Sequence, residues 1–353
     1  MALVLALTVF GFVMLASASS ELGKIQFNDT YYYLKHQITY GLTVGLLGFC
    51  VGYFFSYQRL KKFALPLLIV SVIFLALVFS KFGFMLNYTN RWLRLGPIQF
   101  QPAELLKFTY LTYLAAWLSN TKLKRESSFR TGLLPFLIVS GIIATLLILQ
   151  PATSTVAILL GSGLVVYFMS GAPIKYIIGT ILIGLFIVSA VIFVTPYRRA
   201  RITGFLNQGQ NTQGQNYQVN QGLIALGSGG FAGVGYGKSV TKTAYLPTPI
   251  DDSIFAVIGE ELGFVGVSTL IVLFFLFTFR LYWLAKKTGD HFGRLLLIGF
   301  GTVIAFQAFV NMAAISGIIP LTGVPLPFIS YGGTALAVFL TMSGVALNVT
   351  KYN

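Results

Sequence analysis

Tyr245-Leu-Pro-Thr-Pro-Ile-Asp-Asp-Ser-Ile-Phe-Ala-Val-Ile-Gly-Glu-Glu-Leu-Gly-Phe264 joins a polar segment, 195–253, to an apolar run over about 254–279. A helix of about 20 apolar residues spans a hydrocarbon core, and this run lacks the alternation of a strand. Its reading decides the fold, because the chain repeats such runs throughout. The protein carries nine acidic residues, and four of them sit in this one stretch: Asp251, Asp252, Glu260 and Glu261. Ionisable groups are costly beside lipid and mark functional positions by default.

The 353 residues are 56% apolar and 9% charged, against about 25% charged in soluble domains. Lipid leaves only helices or closed barrels as spanning structures, and unalternated runs select helices. Ten spans are expected, at about 2–19, 36–56, 64–82, 102–119, 132–150, 154–171, 174–194, 254–279, 293–316 and 333–350. The chain therefore reads as one all-α polytopic membrane domain, 1–353, with a long extracytoplasmic loop, 195–253, between helices 7 and 8. The first run has no basic residue before it and no clear cleavage site after it, so it reads as a retained span. A lone Cys50 excludes an intrachain disulfide.

The net charge of +15 reflects orientation and anionic lipid or phosphate rather than nucleic acid. With the N-terminus in the cytoplasm, compact cytoplasmic loops and the tail hold 13 Lys and Arg residues, and the other side holds 10. That topology puts Asp251 and Asp252 on the outer face.

The outer segments have features of their own. Asn90-Arg-Trp-Leu-Arg-Leu-Gly-Pro-Ile-Gln-Phe-Gln-Pro-Ala-Glu-Leu-Leu-Lys107 leads into the fourth span, with Pro102 suited to a first helical turn. Glu104 and Lys107 share a helical face and can pair, either as an architectural bridge or against substrate. Thr195-Pro-Tyr-Arg-Arg-Ala-Arg-Ile-Thr-Gly-Phe-Leu206 alternates basic and apolar groups, the pattern of a short helix lying in the interface. The Gln/Asn-rich stretch Asn207 to Gln221 offers neutral amides for sugar hydroxyls, or is a solvated loop. The glycines from Ala225 to Gly237 can present amides to an anion or serve close packing. Ser316 to Thr334, rich in Pro and Gly yet apolar, is expected to fold back as a re-entrant loop over 317–332.

Much chemistry is excluded. His36 and His291 are the only histidines, on opposite sides in this topology. The sequence has no His-Glu-x-x-His, Cys cluster or phosphate-binding Gly-Lys-Ser/Thr motif. Carboxylate, arginine and amides remain on the outer face. A carboxylate can take a proton from an attacking hydroxyl while arginines hold a departing pyrophosphate. That set suits glycosyl transfer from a lipid pyrophosphate.

Four segments make the chain resemble the SEDS family of bacterial cell-wall polymerases, of the RodA and FtsW type. They are Arg91 to Glu104 with Lys107; Pro196 to Ile202 with Tyr217, Gln218 and Ile224 to Gly230; Tyr245 to Phe264; and Gly317 to Gly333. The resemblance implies ten membrane helices in the bacterial cytoplasmic (inner) membrane and an outward-facing site that polymerises lipid II into glycan strands. It also implies a class B penicillin-binding protein as partner, among other membrane proteins of the division or elongation machinery. The family's catalytic Asp falls on Asp252. The loop cations Arg91, Arg198, Arg199, Arg201, Lys238 and Lys242 are then candidates for the pyrophosphate. Glu104, Lys107, Glu260, Glu261 and Ser330 line or brace the cavity. A divalent cation, magnesium or manganese, is compatible with a pyrophosphate leaving group, but no ligand cluster demands one.

There are departures from the family pattern. Asp251 stands where Thr is usual, Ala103 where Ser is usual, and Gln150-Pro-Ala152 lacks a usual Asp. Two adjacent like charges raise one pKa, whereas a helix N-terminus at Asp252 favours its ionised form. Ala16-Ser-Ala-Ser19 and Tyr31-Tyr-Tyr-Leu-Lys35 favour the FtsW, cell-division, branch, and Thr322-Gly-Val-Pro-Leu leans toward RodA. The alternatives are a lipid II flippase or a non-catalytic scaffold for the penicillin-binding protein. Spans almost free of mid-span charge count against the flippase.

Overall fold

Each expected apolar run is helical in the computed structural model, which describes residues 1–86, 89–96, 98–120, 125–206 and 216–352. The helices are α1 (Ala2–Ala18), α2 (Ser20–Phe27), α3 (Tyr32–His36), α4 (Thr43–Phe54), α5 (Tyr57–Leu77), α6 (Pro102–Leu118), α7 (Leu134–Leu149) and α8 (Thr153–Met169). They continue with α9 (Ile174–Val194), α10 (Pro196–Leu206), α11 (Tyr217–Ser228), α12 (Thr241–Ala244), α13 (Ile254–Lys287), α14 (His291–Ile315) and α15 (Gly333–Lys351). One π-helical turn, Gln37–Leu42, joins α3 to α4, and another, Phe129–Leu133, precedes α7.

Among the described residues, seven helical stretches are long and apolar enough to cross a membrane, and the pair α1 and α2, bent by 53°, makes up to eight. The remaining two of the ten expected runs are α6 and α8, each of 17 residues. At 1.5 Å per residue these reach about 26 Å, just short of a hydrocarbon core of roughly 30 Å. α9 buries none of its residues although nearly every one is apolar. Such a helix is stable only with lipid around it.

The chain divides into two compact units that interleave in sequence. The first comprises Met1–Tyr40, Leu182–Phe277 and Gln307–Gly332, and the second Gly41–Ile181, Thr278–Phe306 and Gly333–Asn353.

The second unit packs α4 along α15. A Cβ at Gly48 would stand 2.1 Å from Thr341 Oγ1, and one at Gly344 would stand 2.3 Å from Phe49 O. Small residues of this kind let membrane helices approach closely. The unit also holds three strands the sequence reading missed: β1 (Gly83–Leu86), β2 (Thr89–Leu95) and β3 (Ile98–Phe100), an antiparallel meander in the order β1-β2-β3. Arg91-Trp-Leu-Arg-Leu95 has no strict alternation to mark it as a strand, and Gly96 at φ 63° follows β2.

α13 in the first unit is broken. Gly263 sits at φ 62° and ψ −159°, a conformation that favours glycine. The freed backbone groups are satisfied by the glycine-rich segment. Phe264 N donates to Gly230 O (2.9 Å) and Val265 N to Phe231 O (3.2 Å), while Val234 N donates to Glu260 O (2.9 Å) and Gly235 N to Glu261 O (3.1 Å). A Cβ on Gly233 would stand 2.1 Å from Glu261 O. The glycines at 229–235 therefore seal a helix break, which is how irregular backbone survives in a lipid-embedded bundle. That is the close-packing role, and it takes amides away from any anion.

Candidate active site

The segment before α13 is anchored at its far end by two adjacent glutamates. The Glu260 carboxylate accepts from Ser239 Oγ (2.5 Å), Val240 N (2.9 Å), Thr241 N (3.4 Å) and Thr241 Oγ1. Glu261 pairs with Lys242 at 2.7 Å, both side chains sealed from solvent. Lys242 Nζ also donates to Ser17 Oγ (2.8 Å) and Gly237 O (3.1 Å), and Ser17 Oγ donates to Glu261 (2.6 Å). An ammonium has three donors, and all three of Lys242 are committed inside the protein. Lys242 is thus a brace and not a pyrophosphate ligand, a correction to its sequence assignment. Of the two roles expected of Glu260 and Glu261, lining the cavity or bracing, these contacts are of the bracing kind.

From this anchor the chain runs to Asp252. Thr248 turns it at φ 47°. Its Oγ1 donates to Asp252 Oδ1 (2.5 Å), and Gln218 Nε2 on α11 donates to Thr248 Oγ1 (3.3 Å) and Ser253 Oγ (2.9 Å). Asn311 on α14 bridges Asp252 O (2.8 Å) and Val324 O (2.7 Å). Ser330 Oγ donates to Asp251 O (2.5 Å) and accepts from Leu326 N (2.8 Å). Tyr331 N donates to Ile250 O (2.9 Å). Ser330 therefore supports the site through the backbone. The loop 317–332 is folded into the protein, with Val324, Leu326, Phe328 and Ile329 buried.

Both aspartates are half-buried. Burial and the neighbouring Asp252 charge push Asp251 up to about 7. Burial also raises Asp252, opposed by hydrogen bonds from Thr248 and Gln218 and its own backbone, and by the Arg201 charge. The expectation that a helix N-terminus favours the ionised form of Asp252 is corrected, because its proton affinity is raised and not lowered. α13 begins at Ile254, two residues on, and desolvation outweighs the local donors.

The Asp251 shift has a consequence for stability. The fold holds this proton more tightly than the open chain, whose value is near 3.8. The protonated form costs nothing, so stability is greatest below about pH 4 and falls as pH rises toward 7. Asp251→Asn is expected to remove that fall. In detergent, its thermal midpoint should exceed that of the unaltered protein at pH 8 and match it at pH 4. Equal midpoints at pH 8 would count against a buried, proton-holding Asp251.

The arginines lie on α10, whose helical form agrees with the alternating basic and apolar pattern. Arg201 reaches toward Asp252 electrostatically and donates to Leu321 O (3.2 Å). Arg198 donates to Thr195 Oγ1 (3.0 Å), and Arg199 is exposed. Lys238 is exposed, and no described hydrogen bond or ion pair joins it to Asp252. The expected sugar-binding stretch Asn207 to Gln221 is outside the described residues from 207 to 215; beyond it, Gln218 does reach the site.

The remaining candidates belong to the second unit. Glu104 and Lys107 are buried and paired at 2.6 Å, with the ammonium 5.7 Å from the Phe339 ring centre. This is the architectural bridge of the two readings. Arg91 on β2 donates to Gln150 O (2.9 Å) and Pro151 O, clasping the turn between α7 and α8. Those contacts move it from the phosphate set to a structural one.

Among the described residues no three His, Cys, Asp or Glu side chains converge as a metal site. Sequence reasoning missed Thr248 and Asn311. A lone Asn in an apolar span was the visible sign of the second.

The family model for FtsW, RodA and SpoVE, described as a cell cycle protein, matches residues 1–353. The chain belongs to this family. Within the FtsW/RodA/SpoVE family it is FtsW-like. It is 37% identical over 345 residues to a protein of Geobacter sp. (strain M18) named as a probable peptidoglycan glycosyltransferase FtsW, covering 98% of this chain and 94% of that one. It is 34% identical to stage V sporulation protein E of Bacillus subtilis (strain 168), covering 99% and 95%. Two solved structures share the fold. A chain from a peptidoglycan synthase complex that coordinates polymerization and crosslinking superposes with TM-score 0.81 at 31% identity, covering 99% and 96%. The rod shape determining protein RodA of Thermus thermophilus superposes with TM-score 0.72 at 31% identity, covering 99% and 95%. The fold is an α-helical, multi-pass membrane protein, as FtsW/RodA/SpoVE membership implies.

Proposed function

We propose that this protein is a peptidoglycan glycosyltransferase that polymerises lipid II into glycan strands for septal wall synthesis. The observation that carries the reading is the seat of Asp252. It is a half-buried carboxylate of raised proton affinity, held by Thr248 and Gln218 and facing the charge of Arg201. A base of raised pKa is a stronger proton acceptor once it has lost its own proton. The acceptor sugar hydroxyl attacks the anomeric carbon with inversion and loses its proton to Asp252. The bond from that carbon to the lipid pyrophosphate breaks, and the pyrophosphate leaves with the electron pair. Arg198, Arg199 and Arg201, with Lys238, stabilise the departing charge.

The site faces outward from the cytoplasmic membrane, where lipid II and the growing strand meet it. A class B penicillin-binding protein cross-links the product, and other membrane proteins of the division machinery complete the assembly. The names of the FtsW relatives and the superposable synthase-complex chain support this reading. Purified protein, reconstituted with lipid II and its penicillin-binding partner, is expected to yield glycan polymer on gels. Passage of lipid II across a liposome bilayer without polymer would replace the polymerase by a flippase.

A further inference from the structure

The turn that supports the aspartates carries an aromatic side chain that the proposed chemistry leaves unused. Tyr331 follows Ser330, so its ring is fixed relative to Ile250 and Asp251 by the two backbone contacts of that turn. Tyr331 meets Tyr33 edge-on, with ring centres 5.2 Å apart, and its hydroxyl lies 2.8 Å from His36 Nδ1. His36 packs on Tyr40 at 4.6 Å. Tyr33 Oη donates to Gln26 Oε1, and Gly332 N donates to the buried Gln37 (3.1 Å). The chain enters a π-helical turn immediately after His36, a distortion frequent at functional sites.

We infer that Tyr33, His36 and Tyr331 form a carbohydrate platform that receives the pyranose ring of the acceptor sugar. The inference rests on the polymerase reading and names a subsite within it. Three features support it. Tyr33, His36 and Tyr331 are half-exposed, so ring surface remains open beside the aspartates. The platform is made of neutral groups: apolar ring faces meet the C–H face of a pyranose, while the phenols and the imidazole meet its hydroxyls. Lys35, the nearest cation in sequence, is paired with Asp29 at 2.7 Å. Pyrophosphate would go to the α10 arginines instead, so the charged and neutral parts of the substrate separate onto different elements.

Aromatic residues also collect at membrane interfaces as anchors. An anchoring belt does not require rings hydrogen-bonded to one another and tied to the backbone just before the candidate base. Burial and the Asp251 charge also hold the Tyr331 proton in place, so the hydroxyl stays a donor.

The test measures binding of lipid II in detergent in an Asp252→Asn background, where turnover does not deplete the ligand. Tyr331→Leu is expected to weaken binding about tenfold, the worth of one well-placed aromatic contact. Tyr331→Phe, which keeps the ring, is expected to recover most of that loss. Tyr33→Leu, a second probe of the same surface, should weaken binding in the same direction. Thermal midpoints of all variants are read alongside, so that a misfolded protein is recognised. Lipid II affinity unchanged in both Leu variants, or lost as fully in Tyr331→Phe as in Tyr331→Leu, overturns the platform. Failure of the polymerase reading shows separately, as the absence of glycan polymer when the unaltered protein is reconstituted with lipid II and its penicillin-binding partner.

Discussion

Asp252→Ala is expected to lower glycan polymerisation at least about 100-fold, the lower range for removal of a general base. Folding should not suffer in parallel. The carboxylate is held above its ordinary proton affinity by burial, so removing it relieves a desolvation cost while only Thr248 and Gln218 lose an acceptor. Activity and thermal midpoint are therefore expected to separate, with little change in the second. Asp252→Asn sharpens the test, because the amide oxygen can still accept from Thr248 and keep the turn in shape. A loss of similar size in the Asn variant assigns the effect to proton transfer, not to shape. The rate of the unaltered enzyme should rise with pH along a limb lying above the ordinary aspartate value, since Asp252 acts only when it has lost its proton. Polymer yield unchanged by Asp252→Ala would end its assignment as the base.

The largest loss of stability is expected at the Lys242–Glu261 pair. Both side chains are sealed from solvent, and removal of one partner leaves an uncompensated charge in a medium that solvates it poorly. Lys242→Met should cost about 3–5 kcal/mol. The double variant Lys242→Met with Glu261→Gln removes both charges and should recover much of that cost. Unfolding followed by tryptophan fluorescence in detergent measures the cycle. Additive losses in the double variant would show that the two groups do not act as a pair. The pair also closes on Ser17 of α1, so the fault should reach beyond local packing. With Glu260, it fixes the start of the segment that ends at Asp252. Polymerisation is therefore expected to fall in Lys242→Met and to return partly in the double variant.

Two readings of the glycine-rich run were open in the sequence, and the helix break at Gly263 favours one. The same amides could have cradled an anion, but they donate instead to carbonyls at 260 and 261. β2, Thr89–Leu95, lacks the strict polar-apolar alternation that marks a strand in sequence, so its pairing with β1 and β3 emerges only in the fold. Arg91 could be recognised as a cation in an outer segment. Its partners, the carbonyls of residues 150 and 151, could not be found from spacing.

The sequence by itself determined the solvent, the helical class, the family and the one stretch where acidic residues are concentrated. Those properties follow from run length, composition and short local motifs, which depend on neighbours in the chain. The tertiary structure alone decided what each charge in that stretch is for. Ser17 meets Glu261 across 244 positions, Asn311 meets Asp252 across 59, and Ser330 meets Asp251 across 79. Burial and partner choice set the proton affinity of a carboxylate and the availability of an ammonium, and both arise only when distant segments pack. Tyr245–Phe264 thus holds two kinds of acid: Glu260 and Glu261 are consumed in holding the segment, and Asp251 and Asp252 stand where a substrate could reach them.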